Sequence, residues 1–172
     1  NDFYLDVSNI LKELANRIIK EDETFIKLNM SKNSKNKIAI IVDQLMDIKH
    51  STAKATLDYA INISKFIENS DVQIFVEDNF RQCNKESILI NLYYSEVSAY
   101  LQEIHNNYLE KYNKSNIKIF YSNTEKEKKD RVIEMVGAIQ EFAPEVVFNI
   151  NNSTSLVMNI VSKLTPSYYI TL

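Results

Sequence analysis

His50, Ser51 and Thr52 stand side by side in the stretch IVDQLMDIKHSTAKATLDYA, where an apolar run gives way to a helical pattern. Histidine is the residue type that titrates near neutral pH, so it suits proton transfer or a hydrogen bond to a substrate hydroxyl. Hydroxyl residues at the start of a helix lie where free backbone amides and the helix dipole favour an anion. They also suit a plain N-cap, and we favour this interpretation for Ser51 and Thr52.

Further polar residues follow the other apolar runs of the chain. The carboxylates of Glu77 and Asp78, which end one such run, could bind a metal or a hydroxyl, although we favour the entrance of a loop in which Asp78 caps a turn. The residues at 151–153 could equally be the N-cap of the helix after them. The candidate binding residues at these positions are Asp43, Gln44, Asp78, Asn149, Asn151, Asn152 and Ser153.

The elements around these residues decide whether they can meet. Helical patterns, most of them ten residues or longer, alternate with five short β-rich runs: KIAIIVD, VQIFVED, NIKIFYSN, EVVFNIN and SYYITL. This alternation predicts right-handed βαβ units and a doubly wound, mainly parallel sheet of the Rossmann-like α/β class. In such a sheet, ligands bind beyond the carboxyl ends of the strands, at the point where the strand order reverses.

Residues 1–36 form a leading region before the α/β domain, which we assign to 37–172. An apolar face at helical spacing predicts an opening helix, and a polar linker follows it. This helix could pack on the sheet or contact an upstream domain. Because the chain starts at Asn1 and stops within a strand pattern, we expect it to be an excerpt of a longer protein. The residues of the apolar face are Leu5, Ile10, Leu14, Ile18 and Ile19.

The composition argues against several function classes. The single glycine among 172 residues, Gly137, rules out the glycine-rich loops of dinucleotide sites and P-loops. A net charge of -3 does not indicate nucleic acid as a partner. Cys83 is the single cysteine, so an internal disulfide and a cysteine metal cluster are excluded. No apolar run suggests a transmembrane segment or signal peptide, and we therefore expect a cytoplasmic protein.

Three other features receive ordinary interpretations. His105 lies mid-helix and is interpreted as a surface or packing histidine. The mixed-charge run KEKKDR at a helix start is typical of a solvated face. A bacterial receiver domain would need an acidic pair after its first strand and an aspartate after its third. The sequence has Asp43 with Gln44 and then YSNT, which argues against that class.

Two longer stretches carry a further signal: KIAIIVDQLMDIKHSTAKATLDYAINISKFIENSDVQIFVED and IQEFAPEVVFNINNSTSLVMNIVSKLTPSYYITL. Together they resemble the N-terminal Rossmann-like domain of a bacterial GT-B glycosyltransferase of the group 1 type. In that family, an opening strand leads through a loop to a helix that often bears a histidine and small residues and packs beneath a strand. A later helix ends at P..V ahead of a strand and a polar loop. The chain departs from the family where it has DQLMDIKH in place of a glycine-rich loop.

The resemblance implies a two-domain enzyme that transfers a sugar from a nucleotide-sugar donor to a glycan, lipid or protein acceptor. This chain would be its acceptor-side half, inactive without a C-terminal domain that binds most of the donor. His50 would be the catalytic residue, with the loops 43–52 and 149–153 contacting the substrate. The resemblance implies neither a metal nor another cofactor. It places the enzyme in the cytoplasm or at the inner face of the membrane.

A non-catalytic α/β binding or regulatory module is the alternative, favoured by the missing glycine loop and the sparse polar chemistry. A flavodoxin-like regulatory domain, phosphorylated at Asp43 or Asp78, is a third interpretation. Binding of nucleotide sugars by the longest natural chain would distinguish the transferase from the others.

Overall fold

The strands form one parallel sheet, and helices alternate with them along the chain. The computed structural model describes residues 2–21, 36–77, 88–123, 126–150 and 155–170. The strands in these ranges are β1 (Asn36–Val42), β2 (Ser70–Val76), β3 (Lys118–Tyr121), β4 (Val146–Ile150) and β5 (Ser167–Ile170). The helices are α1 (Asp2–Glu21), α2 (Ser51–Phe66), α3 (Ile88–Lys111), α4 (Lys128–Phe142) and α5 (Leu156–Val161).

The five strands in this part of the chain lie in the order β3-β2-β1-β4-β5. β1 is central and pairs in parallel with β2 on one side and β4 on the other. The predicted Rossmann-like fold, a doubly wound parallel sheet preceded by a helix, is confirmed. The order reverses between β1 and β4, so the crevice where this fold class binds ligands opens between the carboxyl ends of these two strands.

Two hydrophobic clusters cover the two faces of the sheet. On one face, Ile40 and its neighbours in β1 and β2 pack against α2 and α3. On the other face, Ile41 packs with residues of α4, α5 and α1. Because successive side chains of a strand point to opposite faces, a strand covered on both sides must be apolar throughout. This explains the unbroken run IAIIV in β1, in which every residue is buried; Ile38, the first of them, is 3% exposed and the other four are 1% exposed or less.

The opening helix packs on the face of the sheet that α5 covers. Ala15 is fully buried there, and Ile18 and Ile19 are partly buried. Lys163, which follows α5, donates hydrogen bonds from Nζ to the Lys12 carbonyl, at 3.3 Å, and to the Asn16 side chain. Of the two alternatives for this helix, the structure shows packing within the domain. Its predicted apolar face is only partly used, since Ile10 is 57% exposed.

Among the helices that the structure describes, none combines the length and apolar character needed to cross a bilayer.

Ile40 and Ile41 are fully buried neighbours on opposite faces of β1, which makes them a test of two-sided packing. We expect either Ile40→Ala or Ile41→Ala to lower the free energy of unfolding by about 2–5 kcal/mol, because each leaves a cavity in a different cluster. Ile10→Ala on α1 is the matched exposed control and should change stability by no more than about 0.5 kcal/mol. Urea unfolding followed by circular dichroism measures all three. A large loss at only one β1 position would contradict packing on both faces.

Candidate functional site

The carboxyl ends of β1, β2 and β3 continue their pairing for one residue past the strands. The Glu77 amide donates to the Val42 carbonyl at 2.9 Å, and the Ser122 amide donates to the Val76 carbonyl at 3.1 Å. The three segments therefore leave the sheet at the same level. Asp43, Glu77 and Ser122, the residues that follow the three strands, are brought to one edge.

Arg131 on α4 joins the ends of β2 and β3. Its Nε and Nη2 both donate to the Ser122 hydroxyl, at 3.1 and 2.7 Å, and Nη2 also donates to the Glu77 carbonyl. The Ser122 hydroxyl donates to the same carbonyl at 2.8 Å. All three residues are buried, with Arg131 only 3% exposed. The planar guanidinium thus donates hydrogen bonds to the residues that directly follow β2 and β3, beyond the backbone pairing of the sheet.

The interpretation of KEKKDR as a solvated face is correct for Lys126 to Asp130, which are exposed, and wrong for Arg131. The sequence contains a signal that identifies this exception. Arg131 lies four residues before Met135 and directly before Val132, so helical spacing places it on the buried face of α4. The prediction of a solvated face considered the charge of Arg131 and not its helical spacing.

Glu77 also connects the sheet to α5. Its carboxylate accepts a hydrogen bond from the Ser155 hydroxyl, which in turn accepts one from the Met158 amide at 2.8 Å. Ser155 is therefore the N-cap of α5. The prediction of a cap at 151–153 is wrong by two residues or more. The polar residue nearest the apolar helical stretch was the better choice.

A small pocket lies beside this hydrogen-bonded cluster. Its cavity volume of about 10 Å³ is roughly the room that one water molecule needs. At this volume the pocket is too small for a sugar or a nucleotide. Its lining residues are Glu77, Ser122, Lys128, Arg131, Val132, Met135 and Val157.

Asp43 and Asn149 flank the crevice between β1 and β4. Asp43 is half-buried, and its Oδ1 is shielded from solvent without a hydrogen-bond partner in the part of the chain described. Asn149 is fully buried and lies beside Ile41 in the strand register. Two of the predicted binding residues therefore reach the point where the strand order reverses. A shielded carboxylate oxygen without a donor is costly, and a ligand hydroxyl or amine would remove this cost.

Tyr169 on β5 was not predicted as a site residue. Its side chain hydrogen-bonds to Asn149, the residue paired with it in the register. Burial raises the pKa of the Tyr169 hydroxyl, the charge of Glu77 raises it further, and the bond to Asn149 opposes both. The repeated aromatics of SYYITL indicate only a strand, and no sequence signal pointed to this contact.

The residues 50–52 are arranged differently from the prediction. His50 itself is the N-cap residue of α2, its backbone is extended, and its exposed side chain makes no cap hydrogen bond. Ser51 is exposed in the first turn, and the Thr52 carbonyl accepts the Thr56 hydroxyl at 2.8 Å. The prediction that Ser51 or Thr52 caps the helix is therefore wrong.

Asp47 determines where α2 begins. Its carboxylate accepts the Lys49 amide at 2.9 Å, and its carbonyl accepts the His50 amide at 2.8 Å. This turn ends the loop at His50, whose carbonyl accepts the first helical bond, from Lys54. The hydroxyl residues consequently lie inside the helix rather than at its cap.

The remaining predicted residues divide into two groups. Gln44 lies in the described loop and is half-buried. Asp78, Asn151, Asn152 and Ser153 lie outside the described residues, and their roles stay predictions. Within the described ranges, no group of three or more His, Cys, Asp and Glu side chains is arranged to hold a metal ion.

Comparisons with protein-family models, with curated proteins and with solved structures gave no significant match to this chain.

Arg131→Lys tests the guanidinium that joins β2 and β3. Lysine keeps the charge but cannot donate to the Ser122 hydroxyl and the Glu77 carbonyl with the same fork, so we expect a loss of about 2–3 kcal/mol in unfolding free energy. Arg17→Lys on α1 is the control, because the Arg17–Glu13 ion pair is exposed and should contribute less than about 1 kcal/mol. Equal effects of the two variants in chemical unfolding would contradict this role of Arg131.

Ser155→Ala tests the corrected position of a helix cap. The variant removes the acceptor of the Met158 amide and the donor to Glu77, so we expect a loss of about 1–3 kcal/mol. Ser51→Ala is the matched control and should be within about 0.5 kcal/mol of the parent chain, because Ser51 makes no cap bond. Thermal unfolding of the two variants measures the difference. A larger effect at Ser51 than at Ser155 would restore the original cap prediction.

Proposed function

We propose that this chain is the acceptor-side domain of a GT-B glycosyltransferase that transfers a sugar from a nucleotide-sugar donor to a glycan, lipid or protein acceptor. Three observations support the proposal. The sheet has the order and parallel direction of a Rossmann-like half, its polar residues gather at the carboxyl edge, and the sequence resembles this family over 37–172. A second α/β domain in the natural protein would bind most of the donor.

The observation that carries the proposal is the state of Asp43. Its shielded, unpartnered Oδ1 lies at the end of β1, beside the crevice of this fold class. A sugar presents several hydroxyl donors, and one of them would satisfy this oxygen by a hydrogen bond to a charged acceptor. The buried cluster around Arg131 then acts as a rigid support next to the site.

His50 is the proposed catalytic base. It is exposed at the end of the same loop, and it makes no side-chain cap bond that would occupy its ring. An imidazole in this state can accept the proton of an acceptor hydroxyl as the hydroxyl attacks the donor sugar. Ser51, whose hydroxyl is exposed beside it in the first turn of α2, and Thr52 belong to the same proposed binding surface. We place the reaction in the cytoplasm or at the inner face of the membrane.

The test is an assay of the longest natural reading frame that contains this chain. The protein is incubated with a panel of nucleotide sugars and glycan acceptors, and mass spectrometry detects the transferred sugar. We expect a product with at least one donor. Asp43→Asn should lower kcat/KM by about 10- to 100-fold, as expected for one charged hydrogen bond. His50→Ala should lower kcat by about 100-fold or more, as expected for a general base.

Asp71→Asn is the control for the aspartate variant. Asp71 is also half-buried but lies on β2 near the amino edge of the sheet, and its substitution should leave the kinetics unchanged. Absence of both product and nucleotide-sugar binding would contradict the proposal and favour the non-catalytic module. Full activity of Asp43→Asn would contradict the site assignment alone.

A further inference from the structure

His105 on α3 is a fully buried histidine with a hydrogen bond at each ring nitrogen. Nε2 lies 2.7 Å from the carbonyl oxygen of Met46, and Nδ1 lies 2.7 Å from the hydroxyl oxygen of Tyr121. The rings of His105 and Tyr121 are stacked, with an interplanar angle of 12°. One side chain thus links three parts of the fold: α3, the end of β3 and the loop that follows β1. The packing alternative for His105 is confirmed, but packing alone does not require these two bonds.

The partners of the ring determine its protonation state. A carbonyl oxygen can only accept, so Nε2 must carry the hydrogen and donate to Met46. In the neutral ring Nδ1 is then an acceptor, and the Tyr121 hydroxyl, which can donate, satisfies it. The arrangement is therefore complete with a neutral imidazole, and a proton on Nδ1 would place a charge where no water reaches.

Met46 lies in the middle of the loop that carries Asp43 and His50, the proposed sugar-binding and catalytic residues. The loop runs from Asp43 to His50, and Leu45, buried to 4% exposure, anchors it to the core. The bond from His105 is the polar anchor of the same segment. A shift of Met46 would therefore move Asp43 on one side and the start of α2 on the other.

We propose that His105 is a positioning residue: its neutral ring holds the loop 43–50 in place, and protonation of the ring releases that loop. The proposal concerns the loop itself, so it does not depend on the identity of any ligand or on a transferase activity.

The surroundings of the ring give the direction of the pH effect. Burial lowers the pKa of His105 below its ordinary value of 6.5, while the bond to Met46 and the charge of Asp47 act in the opposite direction. Among the described side chains, the titratable groups that face it are Asp47 from the loop and Tyr121 from β3. α2, which packs against α3, contributes Asp58, but this carboxylate accepts the Tyr108 hydroxyl and the Lys54 ammonium.

The sign follows from the lowered pKa. When the loop opens, the ring reaches water and binds a proton more readily than when it is closed. Loop closure is therefore complete above about pH 6.5 and weakens as the pH falls toward the pKa of the closed state, with no further loss below that pKa. The equilibrium can change by up to about tenfold per pH unit within this window.

The experiment measures amide hydrogen exchange of the whole chain at pH values from about 5 to 7.5, above the range in which ordinary carboxylates titrate. Protection factors correct for the intrinsic effect of pH on exchange. We expect protection of the loop 43–50 to fall by up to about tenfold per unit below pH 6.5. The β1 amides should keep their protection. An NMR titration of the His105 ring in the same protein should show a pKa below 6.5.

Two variants separate His105 from other causes. The chain has 2 histidines, so His50→Ala removes the other one and should leave the pH dependence unchanged. His105→Gln replaces the ring by a neutral amide that can still donate to Met46, and its loop should be protected at every pH. Wild-type protection that does not vary with pH overturns the proposal. So does a pH dependence that survives in His105→Gln or disappears in His50→Ala, or a ring pKa at or above 6.5. If His105→Gln does not fold, the ring titration and His50→Ala still decide.

Discussion

The fold depends on β1 being hydrogen-bonded along both edges and packed on both faces. Such a strand has no exposed surface, and its residues from Ala39 to Val42 are accordingly apolar and fully or almost fully buried. Polar side chains that could contact a ligand can therefore occur only beyond the end of this strand. Asp43 is the first residue after β1, and it lies at the carboxyl edge where the strand order reverses between β1 and β4. The position of the proposed site is thus a direct result of burying the central strand.

Polar groups at the carboxyl edge of the sheet differ in their hydrogen bonding. Around β2 and β3, the side chains of Arg131, Ser122, Glu77 and Ser155 are linked by hydrogen bonds to one another and to the Glu77 carbonyl. At the end of β1, the shielded Asp43 oxygen has no such partner among the described residues. Since buried polar groups in proteins are nearly always paired, the contrast favours a ligand for Asp43 and a structural role for Arg131.

The periodicity of the sequence was sufficient to predict the fold class, because fully buried parallel strands and amphipathic helices differ sharply in pattern. It was not sufficient for the strand order, which depends on long-range packing. The first residues of α2 and α5 were predicted at the wrong positions because several adjacent residues in each case suit an N-cap. The turn at Asp47 determines the start of α2, and the contact between Ser155 and Glu77 accompanies the cap of α5. Arg131 shows a second limit: its charge suggested exposure, whereas helical spacing placed it on the buried face of α4. For His105 the sequence left surface and packing roles open, and the two hydrogen bonds of its buried ring depend on tertiary contacts.

The central claim is that the carboxyl edge between β1 and β4 binds a sugar hydroxyl through Asp43. The most direct measurement is an NMR titration of the isotope-labelled chain with a panel of neutral mono- and oligosaccharides of the acceptor type. We expect the backbone signals of the loop 43–50 and of the end of β4 to shift together on binding, and we expect Asp43→Asn to abolish these shifts. Signals that stay unchanged with every saccharide, or that move only at the opposite edge near Asn36 and Ser70, would contradict it.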